Sequence, residues 1–177
     1  TMTNEKATIR CEAIFSDDKE YRYLLSKVWD KNKPIATVIS ISPSTFYNVT
    51  CDTTTMLIQN NLEALGCGGV ELVNLISKVG VEAKRLKSLI DDIGEETDRY
   101  ILESVKRTAL TILAWGRIAG MNKAFQAREA EVLELLEPYM DKVQTISDCA
   151  GRENLHPLTP SIRNEWNLSL YQSGTAE

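Results

Sequence analysis

The run Ile35-Ala36-Thr37-Val38-Ile39-Ser40-Ile41, halted by Ser42-Pro43, decides the fold class. It is nearly continuous in apolar and β-branched residues, the pattern of a parallel strand covered on both faces rather than one with a wet side. Pro43 lacks the amide hydrogen that a further ladder bond would need, so the strand must end there. Three similar runs follow: Val70–Leu75 (VELVNL), Leu110–Trp115 (LTILAW) and Val143–Ile146. Helical patterns separate them. Asp52 opens one, with Ile58, Leu62 and Leu65 on a face and Gly66 closing it. A short helix is expected over 83–90, and a longer one over 95–108 with Ile101, Val105 and Thr108 inward. The last, 122–136, presents Phe125, Val132, Leu133 and Leu136 and is stopped by Pro138.

Strands alternating with helices imply right-handed βαβ units. The expectation is a three-layer α/β/α fold with a mainly parallel four-stranded central sheet. Two N-terminal edge strands, 8–15 and 20–29, should flank it, the second showing partial period-two alternation. With 177 residues and no repeat or Pro/Gly-rich linker, one domain is expected over 1–177. Its ordered core should run over about 7–166, with a flexible tail at 167–177.

Composition narrows the function classes. Hydrophobic residues make up 43% and charged residues 25%, which is ordinary for a globular protein. No apolar stretch reaches membrane-spanning length, and the N-terminal residues lack a secretory core, so a cytoplasmic location is expected. A net charge of −5 argues against tight non-specific duplex binding, which rests on neutralising phosphates with cations. The clusters Lys84/Arg85/Lys87 and Arg117/Lys123/Arg128 read as solvated helix faces. Cys11, Cys51, Cys67 and Cys149 form no C-x-x-C pair, so buried reduced thiols are expected, with no metal and no cofactor. Phosphate-binding Gly-rich loops, the dinucleotide fingerprint, the zinc-protease helix and the serine-hydrolase elbow are all missing from the sequence.

The polar motifs all fall at the carboxyl ends of the expected core strands, where ligands of such sheets bind. They are Ser42-Pro43-Ser44-Thr45, Asn74, Trp115-Gly116 and, after the fourth strand, His156-Pro157-Leu158. Asn74 offers an acceptor and two donors, as reading a base edge requires, though it could instead join a structural network. Phe46 and Tyr47, in a loop, and Trp115 are candidate stacking surfaces or packing residues. Asp52 could serve as a base or as a helix N-cap.

In order and context these motifs resemble the uracil-DNA glycosylase superfamily, in which a strand ends in Asp-Pro or Asn-Pro, a later one carries Asn, another ends in Trp-Gly and a final loop carries His-Pro. A closer resemblance is to family 1643 of the domains of unknown function, from bacteria and phages. Tyr21-Arg22-Tyr23, Trp29, Ser42-Pro43-Ser44-Thr45, Asp52-Thr53-Thr54, Asn74-Leu75, Trp115-Gly116 and His156-Pro157-Leu158 carry it across about 20–160. The resemblance implies a glycosylase-like pocket for a nucleotide, a nucleobase or a single-stranded or flipped-out nucleic acid, acting either as an N-glycosidic enzyme or as a non-catalytic binding module. It assigns His156, Ser42 and Asp52 the catalytic positions. Pro43, Ser44, Thr45, Phe46, Tyr47, Asn74, Trp115 and Gly116 take the ligand-binding ones. Ser42 stands where Asn or Asp is usual, and a serine hydroxyl holds a water but does not deprotonate it as a carboxylate can. The sequence leaves the oligomeric state open.

Overall fold

The computed structural model describes residues 1–118 and 122–172, apart from the side chain of Lys84. Its strands are β1 (Arg10–Phe15), β2 (Arg22–Val28), β3 (Ile35–Ser40), β4 (Gly69–Asn74), β5 (Leu110–Leu113), β6 (Val143–Ser147) and β7 (Asn167–Leu170). Three α-helices accompany them: α1 (Thr53–Ala64), α2 (Thr97–Arg107) and α3 (Lys123–Leu136).

The four core strands expected from the sequence lie side by side and parallel, but they do not make up the sheet. It has seven strands in the order β1-β2-β4-β3-β5-β6-β7. The pairings of β4 with β3, β3 with β5 and β5 with β6 are parallel. Those of β1 with β2, β2 with β4 and β6 with β7 are antiparallel, so the sheet is mixed. Two further expectations are corrected with it. The strand within 20–29 is no edge: β2 sits between β1 and β4, and its residues 22–25 are buried. Residues 167–170, expected in a tail, form the far edge strand, bonded to β6 from Gln144↔Leu170 to Ser147↔Asn167. Residues 173–177 of that tail lie outside the described residues.

Side chains alternate across the parallel strands and bury both faces. Ile39, Val73 and Leu113 pack with Ile101 and Val105 of α2 and Phe125, Val132 and Leu136 of α3. Ala36, Val38, Val70, Leu72 and Ile112 pack on the opposite face with Ile58 and Leu62 of α1, and with Ile162 and Trp166. Each fully buried aliphatic side chain is worth about 1.5–3 kcal/mol relative to exposure. Leu65, expected inward, is instead the exposed C-cap residue of α1. The expected helix at 83–90 shrinks to a 3-10 turn at Ala83–Arg85. Among the described residues no helix is long and apolar enough to cross a membrane.

One irregularity in β2 matters for the site. Ile14 pairs with Leu24 but Phe15 pairs with Arg22, which leaves Tyr23 as the extra residue of a bulge. Strict alternation is therefore broken. Tyr23 and Leu24 both pack on the α2 side: Tyr23 stacks on Tyr100 at 5.5 Å and Leu24 joins the Ile39 cluster. Leu25 joins the α1 side. Arg22 is directed to that side too, where its guanidinium meets the loop that follows β3.

Candidate functional site

A cavity of about 410 Å³ opens where β3 gives way to the Ser42–Ser44 loop and α1 begins. Its polar lining comes from Arg22, Ser40, Ser42, Ser44, Asp52, Thr54, Thr55, Glu82 and His156, and its apolar lining from Ile41, Ile58, Leu72, Ala83 and Leu158. Ser42, Asp52 and His156, far apart in sequence, thus face one space.

Each is fixed by local chemistry. Asp52 is the N-cap of α1: its Oδ2 accepts from Thr55 N at 3.4 Å, and its Oδ1 accepts from Thr55 Oγ1 at 2.5 Å and Ser44 Oγ at 3.3 Å. The cap satisfies one of the backbone donors that a helix start leaves open. The carboxylate therefore lines the cavity while bound to three donors. His156 sits in a loop that returns to β6. Leu155 N donates to Ile146 O, and Asp148 gathers that loop by accepting from the backbone N–H groups of Ala150 and Arg152 and from Arg152 Nε at 2.7 Å. These bonds, with Ser161 Oγ and the Arg152 guanidinium, hold the Asp148 carboxyl below its usual pKa. Glu153 accepts from Ser169 Oγ of β7.

The tautomer of His156 follows from its neighbour. Leu158 N donates to His156 Nδ1 at 3.1 Å, so in the neutral ring Nδ1 is the acceptor and Nε2 carries the proton. Gly116 packs closely against His156. It adopts φ +74, and a Cβ there would lie 3.0 Å from His156 Cβ.

Other residues expected in the pocket lie around it. Pro43 is buried behind the serine pair, and Thr45, Phe46 and Tyr47 are exposed beyond it. Tyr47 packs edge-on against Phe15 at 4.9 Å. Asn74 is only 2% exposed and does not line the cavity. Ser40 and Asn74 are register partners across the parallel strands, and Asn74 Nδ2 donates to Ser40 Oγ at 2.7 Å. Its Oδ1 has no hydrogen-bond partner among the described residues, an omission that costs about 1–3 kcal/mol in a buried amide. Trp115 is also buried, and its Nε1 donates to Glu129 of α3 at 3.0 Å. Burial raises the pKa of that carboxyl, and the Trp115 bond lowers it in part. Thus the Trp-Gly motif reaches the site through Gly116 alone.

Sequence reading missed Arg22 and Glu82. Arg22 is 3% exposed, its Nη1 donates to Ser44 O at 3.3 Å and Phe46 O at 3.1 Å, and its Nε is unpartnered among the described residues. Burial pulls its pKa down to about 10, which Asp52 partly opposes, so it stays charged at neutral pH. The signal was an arginine between two strand tyrosines. Tyr21 and Tyr23 stack at 6.3 Å on the α2 side, where Gly94 makes room for them, while Arg22 crosses to the cavity. Glu82, on the rim, pairs with Arg85 Nε at 2.8 Å. Arg128, expected on a solvated face, is instead buried, with its guanidinium bonded to Asp98, Glu131 and Leu75 O.

Of the four cysteines Cys67 alone is buried; Cys51 and Cys149 are exposed and Cys11 is half-buried, which corrects the expectation of four buried thiols. Among the described residues no three His, Cys, Asp or Glu side chains gather as a metal site.

The family model for a protein of unknown function, DUF1643, matches residues 22–158. The chain belongs to this family. The matched segment starts at Arg22 and ends at Leu158, both of which line the cavity. No curated protein and no solved structure matches the chain.

Proposed function

We propose that this DUF1643 protein recognises a nucleobase or nucleotide in the cavity at the end of β3. The observation that carries the reading is the convergence of Ser42, Asp52 and His156 on one space of about 410 Å³. That volume falls in the usual range for small-ligand pockets. In its neutral form His156 carries its proton on Nε2, a donor of the kind that suits a base oxygen, and Ser42 and Ser44 supply hydroxyls. Ile41, Ile58, Leu72 and Leu158 supply apolar surface for a flat ring. Resemblance of the Ser-Pro, Asn, Trp-Gly and His-Pro series to uracil-DNA glycosylases points to the same ligand class.

Binding is favoured over N-glycosidic hydrolysis. Hydrolysis needs a group that activates water, and the Ser42 hydroxyl in the cavity stays protonated at neutral pH and does not take a proton as a carboxylate can. Asp52 is held as a helix cap by Thr55 and Ser44. Incubating wild type and His156→Ala with nucleosides, nucleotides and base-modified oligonucleotides, while recording thermal shift and free base, separates the outcomes. A His156-dependent shift without free base supports recognition. Base release that disappears in His156→Ala makes the protein a glycosidic enzyme, and no response in either measurement rejects the reading.

A further inference from the structure

Two arginines of this chain are equally buried, at 3% exposure, and their charges are met very differently. Arg128 donates to Leu75 O through Nε and pairs with Glu131 and Asp98 through its terminal nitrogens. Arg22 forms no ion pair among the described residues. Its Nη1 reaches two neutral carbonyls, at 3.3 and 3.1 Å, and its Nε has no partner. A desolvated guanidinium with neutral acceptors alone is an incompletely compensated charge, and such groups are retained where something else supplies the counter-charge.

Both carboxylates that share the cavity already have donors. Asp52 accepts from Thr55 and Ser44, and Glu82 pairs with Arg85. The charge of Asp52, met by neutral donors alone, also acts on Arg22, with which it forms no ion pair among the described residues. Near Arg22 stand the hydroxyls of Ser42 and Thr54, at the start of the twelve-residue helix α1, while the O–H of Ser44 is already given to Phe46 O and Asp52. A guanidinium with hydroxyl donors beside it at a helix start suits a tetrahedral oxyanion, which accepts from several directions at once. The bulge at Tyr23 supports this placement, since it sends Arg22 to the cavity while Tyr23 and Leu24 stay on the α2 side.

We infer that Arg22 anchors an anionic phosphate and that the ligand of this cavity is a phosphomonoester. Resting on the nucleotide reading above, that makes it a nucleoside monophosphate rather than a free base or nucleoside.

The test is calorimetric titration of wild type, Arg22→Met and Arg22→Lys with inorganic phosphate, a set of nucleosides and their 5′-monophosphates, with circular dichroism checking that each variant is folded. A charge-assisted anchor should make monophosphates at least about tenfold tighter than nucleosides for wild type. Arg22→Met loses that preference and Arg22→Lys keeps part of it. Equal wild-type affinity for a nucleoside and its monophosphate overturns the anchor and leaves nucleobase recognition standing; this comparison needs no variant. Phosphate binding that depends on Arg22 but gains nothing from an attached nucleoside keeps the anchor and ends the nucleotide reading. Phosphate and monophosphates without effect at millimolar concentration overturn the anchor.

Discussion

Gly116 and His156 are packed so closely that a side chain on one would strike the other: a Cβ on Gly116 would lie 3.0 Å from His156 Cβ. This contact joins the Trp-Gly and His-Pro motifs, which the sequence places forty residues apart, into one structural unit. Gly116 also holds φ +74, a conformation that side chains other than those of Gly, Asn and Asp rarely adopt. Gly116→Ala therefore combines backbone strain with displacement of the imidazole. It should cost about 1–3 kcal/mol of stability in urea denaturation, and whatever ligand response His156→Ala removes should fall with it. Full stability and full ligand response in Gly116→Ala would show that the contact does not position the ring.

Asp52 is a cap before it is anything else. Asp52→Ala should lower stability by about 1 kcal/mol, and Asp52→Ser should recover most of the loss because serine also caps well. Chemical denaturation of the two variants measures this directly. A loss as large in Asp52→Ser as in Asp52→Ala would mean that the carboxylate's charge, and not its cap bond, is what the site requires.

Arg22 should be nearly dispensable for folding. Its folded pKa, about 10, lies below its ordinary value, so the unfolded chain holds the proton more tightly. The resulting stability cost is fully present at all pH values below about 10, and is relieved only as pH rises from there toward the ordinary value of the guanidinium. Replacing the charge by an apolar chain removes that cost and also removes two bonds to Ser44 and Phe46. Arg22→Met should accordingly match or exceed wild-type stability, by a margin that stays constant from about pH 5 to 9, in equilibrium unfolding. A margin that changes across that range would place the relevant titration elsewhere.

Asp148 gives the opposite pH behaviour. Its folded pKa is depressed, first by the Arg152 backbone N–H and further by Ser161 and the Arg152 guanidinium. Its contribution is present above the ordinary carboxyl pKa and is lost as pH falls through the folded one. Asp148→Asn should be less stable than wild type at neutral pH, and the two should converge as the solution is acidified through the depressed folded pKa. A gap in denaturation midpoint that stays constant as the pH falls would contradict this account of the loop.

The parallel core was legible because β3, β4, β5 and β6 carry apolar, β-branched runs that a half-wet strand would not. Asp52 and Asn122 both cap helices that start where the pattern places them. What escaped the sequence had weak or misleading local signals. Asn167–Leu170 is four residues long with an exposed, intermediate, intermediate, exposed burial pattern, so it shows no apolar stripe; it is a strand because β6 offers it an edge. The bulge at Tyr23 depends on pairing with β1, and pairing is not a local property. Of the residues that line the cavity, Ser42 and His156 were legible from their places after core strands, and Asp52 from the helix it opens. Arg22 was not, because an arginine on a predicted edge strand reads as solvent-facing, whereas β2 is interior. Asn74 and Trp115 were expected in the pocket, but Asn74 turns to Ser40 and Trp115 to Glu129.

The most direct test of recognition at this cavity follows the Arg22 Nε–H and the Leu158 backbone N–H by ¹H–¹⁵N NMR during titration with nucleoside monophosphates, with Arg22→Met assigning the side-chain signal. Leu158 N–H reports on His156, to whose Nδ1 it donates, and Arg22 Nε–H on the unpartnered guanidinium edge. Both signals should shift together and saturate, while Arg128 Nε–H, already bonded to Leu75 O, stays in place. Saturation with both signals unmoved, or with shifts confined to other parts of the chain, would contradict a nucleotide site at the end of β3.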